Sequence, residues 1–380
     1  MAEELAIARV LAERVRAQCL TDPRPADPVE AVRRVGSLQA QDPRALPLAI
    51  RARTTGAEAA GVRDAFSGPG GLVVTWLMRG TLHAVPAEDV RWLLALLRPP
   101  RTSGRIRRLG LGLDDALLDR ALPVLDELLA AGPLTRAELA EAIRAGGIAL
   151  GGGQAPAHLV GVAAREGVVC RGPDRAGEPT YVRLDDRVPA AEPVDRPEAL
   201  ARLARRYLAG HGPATAADLA AWSGLPLRDA RAGLADLRDV EEVCIGGAAA
   251  YRLPGPSAAD DRTVRLVPAF DEYVLGYRGR ALALDPAYSR RIQAGGGIVH
   301  PAVLVGGRIV GTWRQRRTGD ALTVQVEPFG QLPRWVRDRL GPEVADLGRF
   351  LGLSAQLVAD LRFPGAAEGL RRTGDRTRPA

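Results

Sequence analysis

The stretch "VGSLQAQDPRALP", residues 35–47, places two glutamines, Gln39 and Gln41, directly before Asp42. A glutamine amide does not titrate near neutral pH, so it cannot act as an ordinary general base. It carries a donor and an acceptor on one head group and can therefore orient a water molecule or a base edge. The pair indicates a site for a polar reactant, and the alternative is that the amides cap neighbouring backbone groups. Asp42 is a rival base, whose alternative role is that of a helix-end or turn residue.

The spacing of the two glutamines constrains the backbone that carries them. In an α-helix, residues two apart differ by about 200° around the axis and face nearly opposite directions. Gln39 and Gln41 can therefore act together only where the chain leaves the helix that Asp27 caps. Pro43 disfavours the α conformation at Asp42. The sequence thus predicts that the pair lies at the unwinding end of this helix.

Composition excludes several classes of protein. The chain has 380 residues, enough for about two to three domains. No apolar run approaches the roughly 18 residues of a membrane span, and the first residues do not resemble a secretory signal. Three widely spaced cysteines, Cys19, Cys170 and Cys244, indicate a reducing compartment without a disulfide framework. With four histidines and no Cys-x-x-Cys motif, we expect neither a metal nor a cofactor.

All 52 basic residues of the chain are arginine. No lysine amine is therefore present for Schiff-base chemistry, which leaves the N-terminal amine as the one possible source. The arginines cluster in two windows without an acidic residue, 90–113 and 286–319, and each window holds six of them. Together with the net charge of +7, these windows predict contact with double-stranded DNA. The alternative is a solvated face whose charge is balanced by acids elsewhere. The arginines predicted to bind DNA from these windows are Arg105, Arg107, Arg108, Arg314, Arg316 and Arg317.

One sequence pattern occurs twice. Residues 132–147 and 212–227 both begin Gly-Pro-x-Thr-x-x-acid-Leu-Ala, in which the threonine and the acid have the spacing of a helix capping box. A second helical stretch and a hairpin pattern follow each copy, which is the order of a winged helix-turn-helix. Residues 28–85 can be read in the same way, with a hairpin that turns near Arg79 and Gly80.

The sequence therefore predicts an α+β protein with three tandem winged helix-turn-helix motifs around a DNA channel. Strand patterns over 263–280 and 300–329, with turns at Gly306-Gly307 and Gly319, predict a strand-rich C-terminal part. The predicted segments are a first winged helix with an N-terminal helix (1–115), a second (116–190), a third (191–256), a strand-rich region with a basic hairpin (257–364) and a disordered tail (365–380).

Four separated motifs give the chain a family resemblance. They are "SLQAQDPRALPLAIRART", "TWLMRGTLHAVPAEDVRWLL", "LVPAFDEYVLGY" and "HPAVLVGGRIVGTWR". Together they resemble the winged-helix DNA glycosylases of the AlkZ and YcaQ type, which remove bulky alkylated bases and unhook interstrand crosslinks. The catalytic motif of that family is glutamine, an apolar residue, then glutamine or aspartate. Gln39-Ala40-Gln41 matches it, so the resemblance implies that both glutamines are catalytic.

The resemblance further implies a monofunctional glycosylase that hydrolyses the N-glycosidic bond of bulky N7-alkylguanine or related cationic alkylpurines. It leaves open whether crosslinks are unhooked, and whether the role is general DNA repair or self-resistance to a genotoxic natural product. A cationic base is a good leaving group, so two amides that orient a water molecule would suffice. In the predicted hairpin, Arg79 and His83 are expected to contact DNA, although His83 could instead pack beneath the hairpin. For Asp271 and Glu272 we expect structural hydrogen bonding.

Two other functions compete with this one. A winged-helix transcriptional regulator would need dimer half-site spacing, but no dimerisation helix is evident, so a monomer is expected. A protein-binding scaffold is the third alternative. As a glycosylase, the protein is expected in the cytoplasm, associated with the nucleoid.

Overall fold

The computed structural model describes residues 3–100, 102–255 and 262–358. The tail predicted to be disordered, 365–380, lies outside the described residues. Helices and strands mix throughout, so the α+β class is confirmed.

In the first unit, an N-terminal helix precedes a series of helix, short strand, two helices and a hairpin. The elements are β1 (Glu3–Glu4), α1 (Ile7–Ala17), α2 (Pro28–Val35), β2 (Leu38–Gln39), α3 (Ala45–Arg53), α4 (Ala59–Asp64), β3 (Leu72–Trp76) and β4 (Leu82–Pro86). The side chain of Asp27 accepts hydrogen bonds from the backbone N–H groups of Val29 and Glu30, which confirms the predicted cap of α2. The hairpin β3–β4 turns at Arg79 and Gly80, as predicted.

Two further units repeat this order of elements, except that the third has an isolated β-bridge at Ala214 in place of the short strand. Helices α5 (Ala87–Leu97) and α6 (Arg105–Gly110) lead into the second unit. The second unit consists of α7 (Asp115–Leu129), β5 (Leu134–Thr135), α8 (Arg136–Ala145), α9 (Ala155–Arg165), β6 (Val169–Arg171) and β7 (Thr180–Arg183). The third unit consists of α10 (Arg196–His211), α11 (Ala216–Ser223), α12 (Leu227–Ala235), β8 (Glu241–Ile245) and β9 (Ala248–Arg252).

The three units share one pairing scheme. In each, the chain just before the second helix pairs with the last strand: β2 with β4, β5 with β7, and Ala214 with Tyr251 of β9. Both predicted capping boxes are present, at the start of α8 and of α11. The local signals that define the repeat are therefore confirmed.

The C-terminal unit is built on a five-stranded sheet of order β10-β13-β14-β15-β16. Its elements are β10 (Val264–Val267), α13 (Glu272–Leu275), α14 (Ser289–Ile292), β11 (Gln293–Gly295), β12 (Ile298–Val299), β13 (Ala302–Val305), β14 (Arg308–Thr318), β15 (Ala321–Pro328), α15 (Arg334–Leu351) and β16 (Ser354–Val358). The turns predicted at Gly306-Gly307 and Gly319 join β13 to β14 and β14 to β15.

This unit is rich in strands, as predicted, but it differs from the prediction in two places. The strand pattern predicted over 263–280 ends at Val267, because the Asp271 side chain accepts the backbone N–H of Tyr273 and begins α13 instead. The prediction of a strand-rich region also omitted the 18-residue helix α15. Its buried face has helical spacing and packs against the sheet.

The first unit lies between two neighbours. One face of its β2-β4-β3 sheet carries Leu38, which shares a core with Trp313 of the C-terminal sheet. The opposite face carries Val85, which shares a core with Trp222 of the third unit. The segment between α2 and α3, which holds the two glutamines, is therefore fixed from both sides.

Candidate active site

Gln39 lies in β2, and Gln41 lies in the bend that follows this strand. Helix α2 ends at Gly36, whose φ of +92° suits glycine, and β2 follows within two residues. The chain thus leaves the helix well before Pro43, and the expectation of an unwinding helix end at Pro43 is wrong. The side chains of Gln39 and Gln41 nevertheless point toward each other, as the hydrogen bond between their amides shows.

The two amides are in contact. The Nε2 of Gln39 donates to the Oε1 of Gln41 over 3.1 Å. Gln39 is 9% exposed, whereas Gln41 is exposed. One amide of the pair is therefore buried and the other lies at the surface. The pair can present amide donors and acceptors to a bound molecule.

Helix α10 of the third unit packs closely against the chain that leads to the glutamines. A Cβ atom on Gly210 of α10 would lie 2.2 Å from the carbonyl oxygen of Val35, the last residue of α2. The glycine allows α10 to approach the chain just before β2. This close approach restricts how the glutamine segment can move.

Asp42, the rival base, has a structural role at the start of α3. Its Oδ1 accepts the backbone N–H of Arg44 over 2.9 Å, and its carbonyl oxygen accepts the N–H groups of Ala45 and Leu46. These contacts fit the helix-end alternative for Asp42.

His83 packs beneath the hairpin. It pairs with Gln39 across β2 and β4, and it is 0% exposed. Burial lowers the pKa of His83 to about 4, although the nearby Glu272 opposes this shift. The ring has no surface for the predicted DNA contact, and its placement fits the alternative of packing under the hairpin. It also brings His83 beside a predicted catalytic residue.

Glu272 lies behind His83 in a buried polar cluster. Its Oε1 accepts a hydrogen bond of 2.5 Å from the Nε1 of Trp222 and lies 3.4 Å from the Nε2 of His211. Burial by itself would raise the pKa of Glu272, but the hydrogen-bonding contact with His211 outweighs burial and lowers the pKa to about 2. Glu272 is therefore a buried carboxylate near the site. Sequence reasoning missed this cluster, because its members come from three different units.

Asp271 forms a buried ion pair with Arg53 of α3. Both oxygens of the carboxylate lie 2.8 Å from guanidinium nitrogens, and both side chains are 0% exposed. The pair fixes α3, which follows the glutamines directly, to the C-terminal unit. The structural hydrogen bonding expected of Asp271 and Glu272 is what both carboxylates display.

Arg79 sits at the turn of the β3–β4 hairpin with a φ of +54°. Its guanidinium donates to the carbonyl oxygen of Trp222, at the end of α11. The residue is exposed, so it combines an anchoring contact with access to solvent.

The arginines of the first basic window occupy different environments. Arg108 is 8% exposed and lies 3.0 Å from Asp115, so it joins α6 to α7. Arg105 and Arg107 are exposed; Arg105 lies 3.9 Å from Asp115, and Arg107 donates to Gln154. Of these three arginines, Arg105 and Arg107 have side chains that are accessible from solvent, whereas Arg108 is buried.

The second basic window forms the exposed hairpin β14–β15. Arg314, Arg316 and Arg317 are all exposed on β14. Arg314 lies 3.3 Å from Glu327, whereas no carboxylate in the described part of the chain lies within 4.0 Å of Arg316 or Arg317. The base of this hairpin carries Trp313, which shares a core with Ala40, the residue between the two glutamines. The hairpin is therefore connected to the glutamine segment by packing.

The described residues also bear on two other kinds of site. No cluster of three or more His, Cys, Asp or Glu side chains suited to a metal ion occurs among them. Likewise, within the described ranges, every helix is too short or too polar to cross a membrane.

Comparison with known proteins identifies the family. The model of the AlkZ-like DNA glycosylase family matches residues 32–350, which include both glutamines and the C-terminal sheet. An interstrand DNA cross-link repair glycosylase from Streptomyces sahachiroi is 28% identical over 312 residues, which cover 74% of this chain and 80% of that protein. The solved structure of the Streptomyces sahachiroi DNA glycosylase AlkZ has the same fold, with a TM-score of 0.75 at 24% identity, over 93% of this chain and 100% of that one. Because the family match extends over most of its length, this chain belongs to the AlkZ-like family of DNA glycosylases.

Proposed function

We propose that this glycosylase hydrolyses the N-glycosidic bond of bulky N7-alkylguanine and related cationic alkylpurines in duplex DNA, with Gln39 and Gln41 as the catalytic residues. The observation that carries the proposal is the hydrogen bond between the two amides, of which Gln39 is buried and Gln41 is exposed. Family membership favours a glycosylase over a transcriptional regulator. The relative from Streptomyces sahachiroi is an interstrand DNA cross-link repair glycosylase, which makes interstrand crosslinks a second substrate class to test.

The chemistry of such adducts suits an amide pair. When the C1′–N9 bond of an N7-alkylguanine breaks, its electron pair moves to the base and neutralises the positive charge there. The sugar then carries the charge as an oxocarbenium-like species, and the oxygen of a water molecule bonds to C1′ while one proton leaves to solvent. Amide oxygens of Gln39 and Gln41 can orient this water and stabilise the positive sugar. A neutral base such as uracil leaves less readily, so an amide pair is not expected to release it.

We further propose that each of the three repeated units is a winged helix-turn-helix, and that they surround a DNA channel in a monomeric, nucleoid-associated protein. In all three units, this assignment is supported by the order of helices and by the pairing of the segment before the second helix with the last strand. An open channel would admit adducts too bulky to flip into a closed pocket. The exposed arginines at 79, 105, 107, 314, 316 and 317 are the proposed DNA contacts.

The test of the function is excision from a duplex that carries a single N7-alkylguanine. We expect the purified protein to release the base and leave a heat- or alkali-labile abasic site, and to leave a matched uracil duplex intact. Because the chain lacks lysine, the abasic product should not be nicked, and borohydride should not trap a protein–DNA adduct. Tight binding to one operator sequence without release of the base would instead support a regulator.

The basic hairpin gives a separate prediction about DNA affinity. Replacement of Arg316 and Arg317 by alanine should reduce the slope of log K against log salt by about 2, since each arginine that contacts phosphate releases about one counterion. The binding of any duplex should weaken to a similar degree, because phosphate contacts carry no sequence information. The measurement is fluorescence anisotropy over a salt series.

The matched control for this prediction is the double variant Arg334→Ala/Arg337→Ala on α15. Both residues are exposed, and the net charge changes by the same amount. We expect the control to keep the wild-type slope. Equal losses in the two double variants would mean that overall charge, and not the hairpin, determines affinity.

A further inference from the structure

Three polar side chains form a row across the sheet of the first unit. Gln39 of β2 pairs with His83 of β4, and His83 pairs with Thr75 of β3. Directly opposed residues of an antiparallel sheet point to the same face, with their Cβ atoms about 5 Å apart. The three side chains are 9%, 0% and 0% exposed, respectively. The row therefore runs from the glutamine pair into the interior.

Each member of the row has a buried polar atom without a hydrogen-bond partner among the described residues. These atoms are the Oε1 of Gln39, the Nε2 of His83 and the Oγ1 of Thr75. Buried polar atoms are nearly always paired in folded proteins, so unpaired atoms on adjacent side chains call for an explanation.

The tautomer and the charge of the His83 ring determine whether its Nε2 donates or accepts a hydrogen bond. The Nδ1 lies 3.0 Å from the carbonyl oxygen of Thr81, which can only accept a hydrogen bond, so Nδ1 carries the hydrogen. Burial keeps the ring neutral at pH 7, because it lowers the pKa to about 4. The Nε2 is therefore an acceptor, and it needs a donor.

The amide of Gln39 can supply this donor if it rotates. In the orientation of the structure, its nitrogen faces Gln41 and its oxygen has no partner. A rotation by about 180° exchanges the two atoms, which have nearly the same shape. The nitrogen then faces the interior, and the contact with Gln41 is kept if the amide of Gln41 rotates as well.

We propose that His83 is a positioning residue for the glutamines: its Nε2 accepts a hydrogen bond from the Gln39 amide, the Gln39 oxygen accepts one from Gln41, and the Gln41 oxygen turns outward. An outward oxygen can accept a hydrogen bond from the attacking water and stabilise the positive sugar, whereas an outward NH2 group would do neither. His83 acts through Gln39 and does not touch the substrate. The proposal rests on the catalytic role proposed above for the two glutamines.

The test compares single-turnover excision by variants at each position of the row. His83→Phe keeps the ring shape but removes the acceptor, and we expect the rate to fall about 10- to 100-fold while duplex affinity stays unchanged. His83→Gln places an acceptor near the position of Nε2 and should restore most of the rate. Thr75→Val is the matched control, because it removes the other unpaired neighbour of His83, and it should leave the rate close to that of the wild type.

A double variant separates this proposal from the proposed function. If His83 acts through Gln39, then His83→Phe combined with Gln39→Ala should be no slower than Gln39→Ala alone. Multiplied losses would overturn the positioning role, as would a loss in Thr75→Val equal to that in His83→Phe. If Gln39→Ala itself retains full activity, the catalytic role of the glutamines fails instead.

Nitrogen NMR of the wild-type protein tests the same proposal without any variant. The chain has four histidines, so the ring signals of His83 can be assigned. We expect the neutral form with hydrogen on Nδ1 at pH 7. A ring with hydrogen on Nε2, or a charged ring, would leave no acceptor for Gln39 and would overturn the proposal even if His83→Phe does not fold.

Discussion

Replacement of both Gln39 and Gln41 by alanine should lower the single-turnover rate of excision by about 100- to 1,000-fold, the loss typical when a preorganised polar group at a charged transition state is removed. Affinity for the duplex should change little, because the arginines supply most of it. The two amides touch each other over 3.1 Å, so they are expected to act as a unit. Each single variant should therefore lose nearly as much as the double variant.

Two controls make this result specific to the glutamine pair. Gln356→Ala removes an exposed glutamine of β16 and should leave the rate unchanged. Asp42→Asn removes the charge of the adjacent carboxylate while keeping an oxygen that can accept the N–H of Arg44, so activity should stay close to wild type. A larger loss in Asp42→Asn than in the glutamine variants would assign the water-activating role to Asp42.

The parts of the fold that the sequence predicts are those that local chemistry determines. The Thr135 and Thr215 capping boxes and the Asp27 cap each depend on residues within one turn of helix, and all three are present. The hairpin turns are also confirmed, because the glycines at them mark the change of chain direction. The repeat of the helix–helix–hairpin order was visible for the same reason.

The organisation of the candidate site depends on contacts between distant parts of the chain. Gln39 enters a strand because it pairs with His83, and that register is not encoded near the glutamines. Glu272 reaches the cluster behind His83 from the C-terminal unit and receives its hydrogen bond from Trp222, 50 residues earlier. A sequence pattern reports periodicity within an element, whereas these contacts are set by how the units pack. For this reason the glutamine motif can be recognised in the sequence, whereas the backbone conformation that carries it cannot be predicted from neighbouring residues.

The same long-range packing makes the ion pair between Arg53 and Asp271 a test of how the site is held. Asp271→Ala should lower the free energy of unfolding by about 3–5 kcal/mol, because it leaves the guanidinium of Arg53 buried without its carboxylate. Both side chains are 0% exposed, and the carboxylate also begins α13 by accepting the N–H of Tyr273. Urea denaturation followed by circular dichroism measures this change, and a similar slope of free energy against urea would show that the variant and the wild-type protein unfold in the same way.

The control for this prediction is an ion pair near the surface. Arg183 and Asp126 lie 3.0 Å apart with side chains 29% and 43% exposed, and Asp126→Ala should cost no more than about 1 kcal/mol. The double variant Arg53→Met/Asp271→Leu should recover much of the stability lost in Asp271→Ala, because apolar side chains remove the unpaired buried charge. If Asp271→Ala costs no more than Asp126→Ala, water must reach Arg53, and the ion pair contributes little to holding α3 on the C-terminal unit. If the large loss is found, the stability of the interface and the geometry of the site depend on the same contact, and excision by the surviving folded fraction of Asp271→Ala should fall as well.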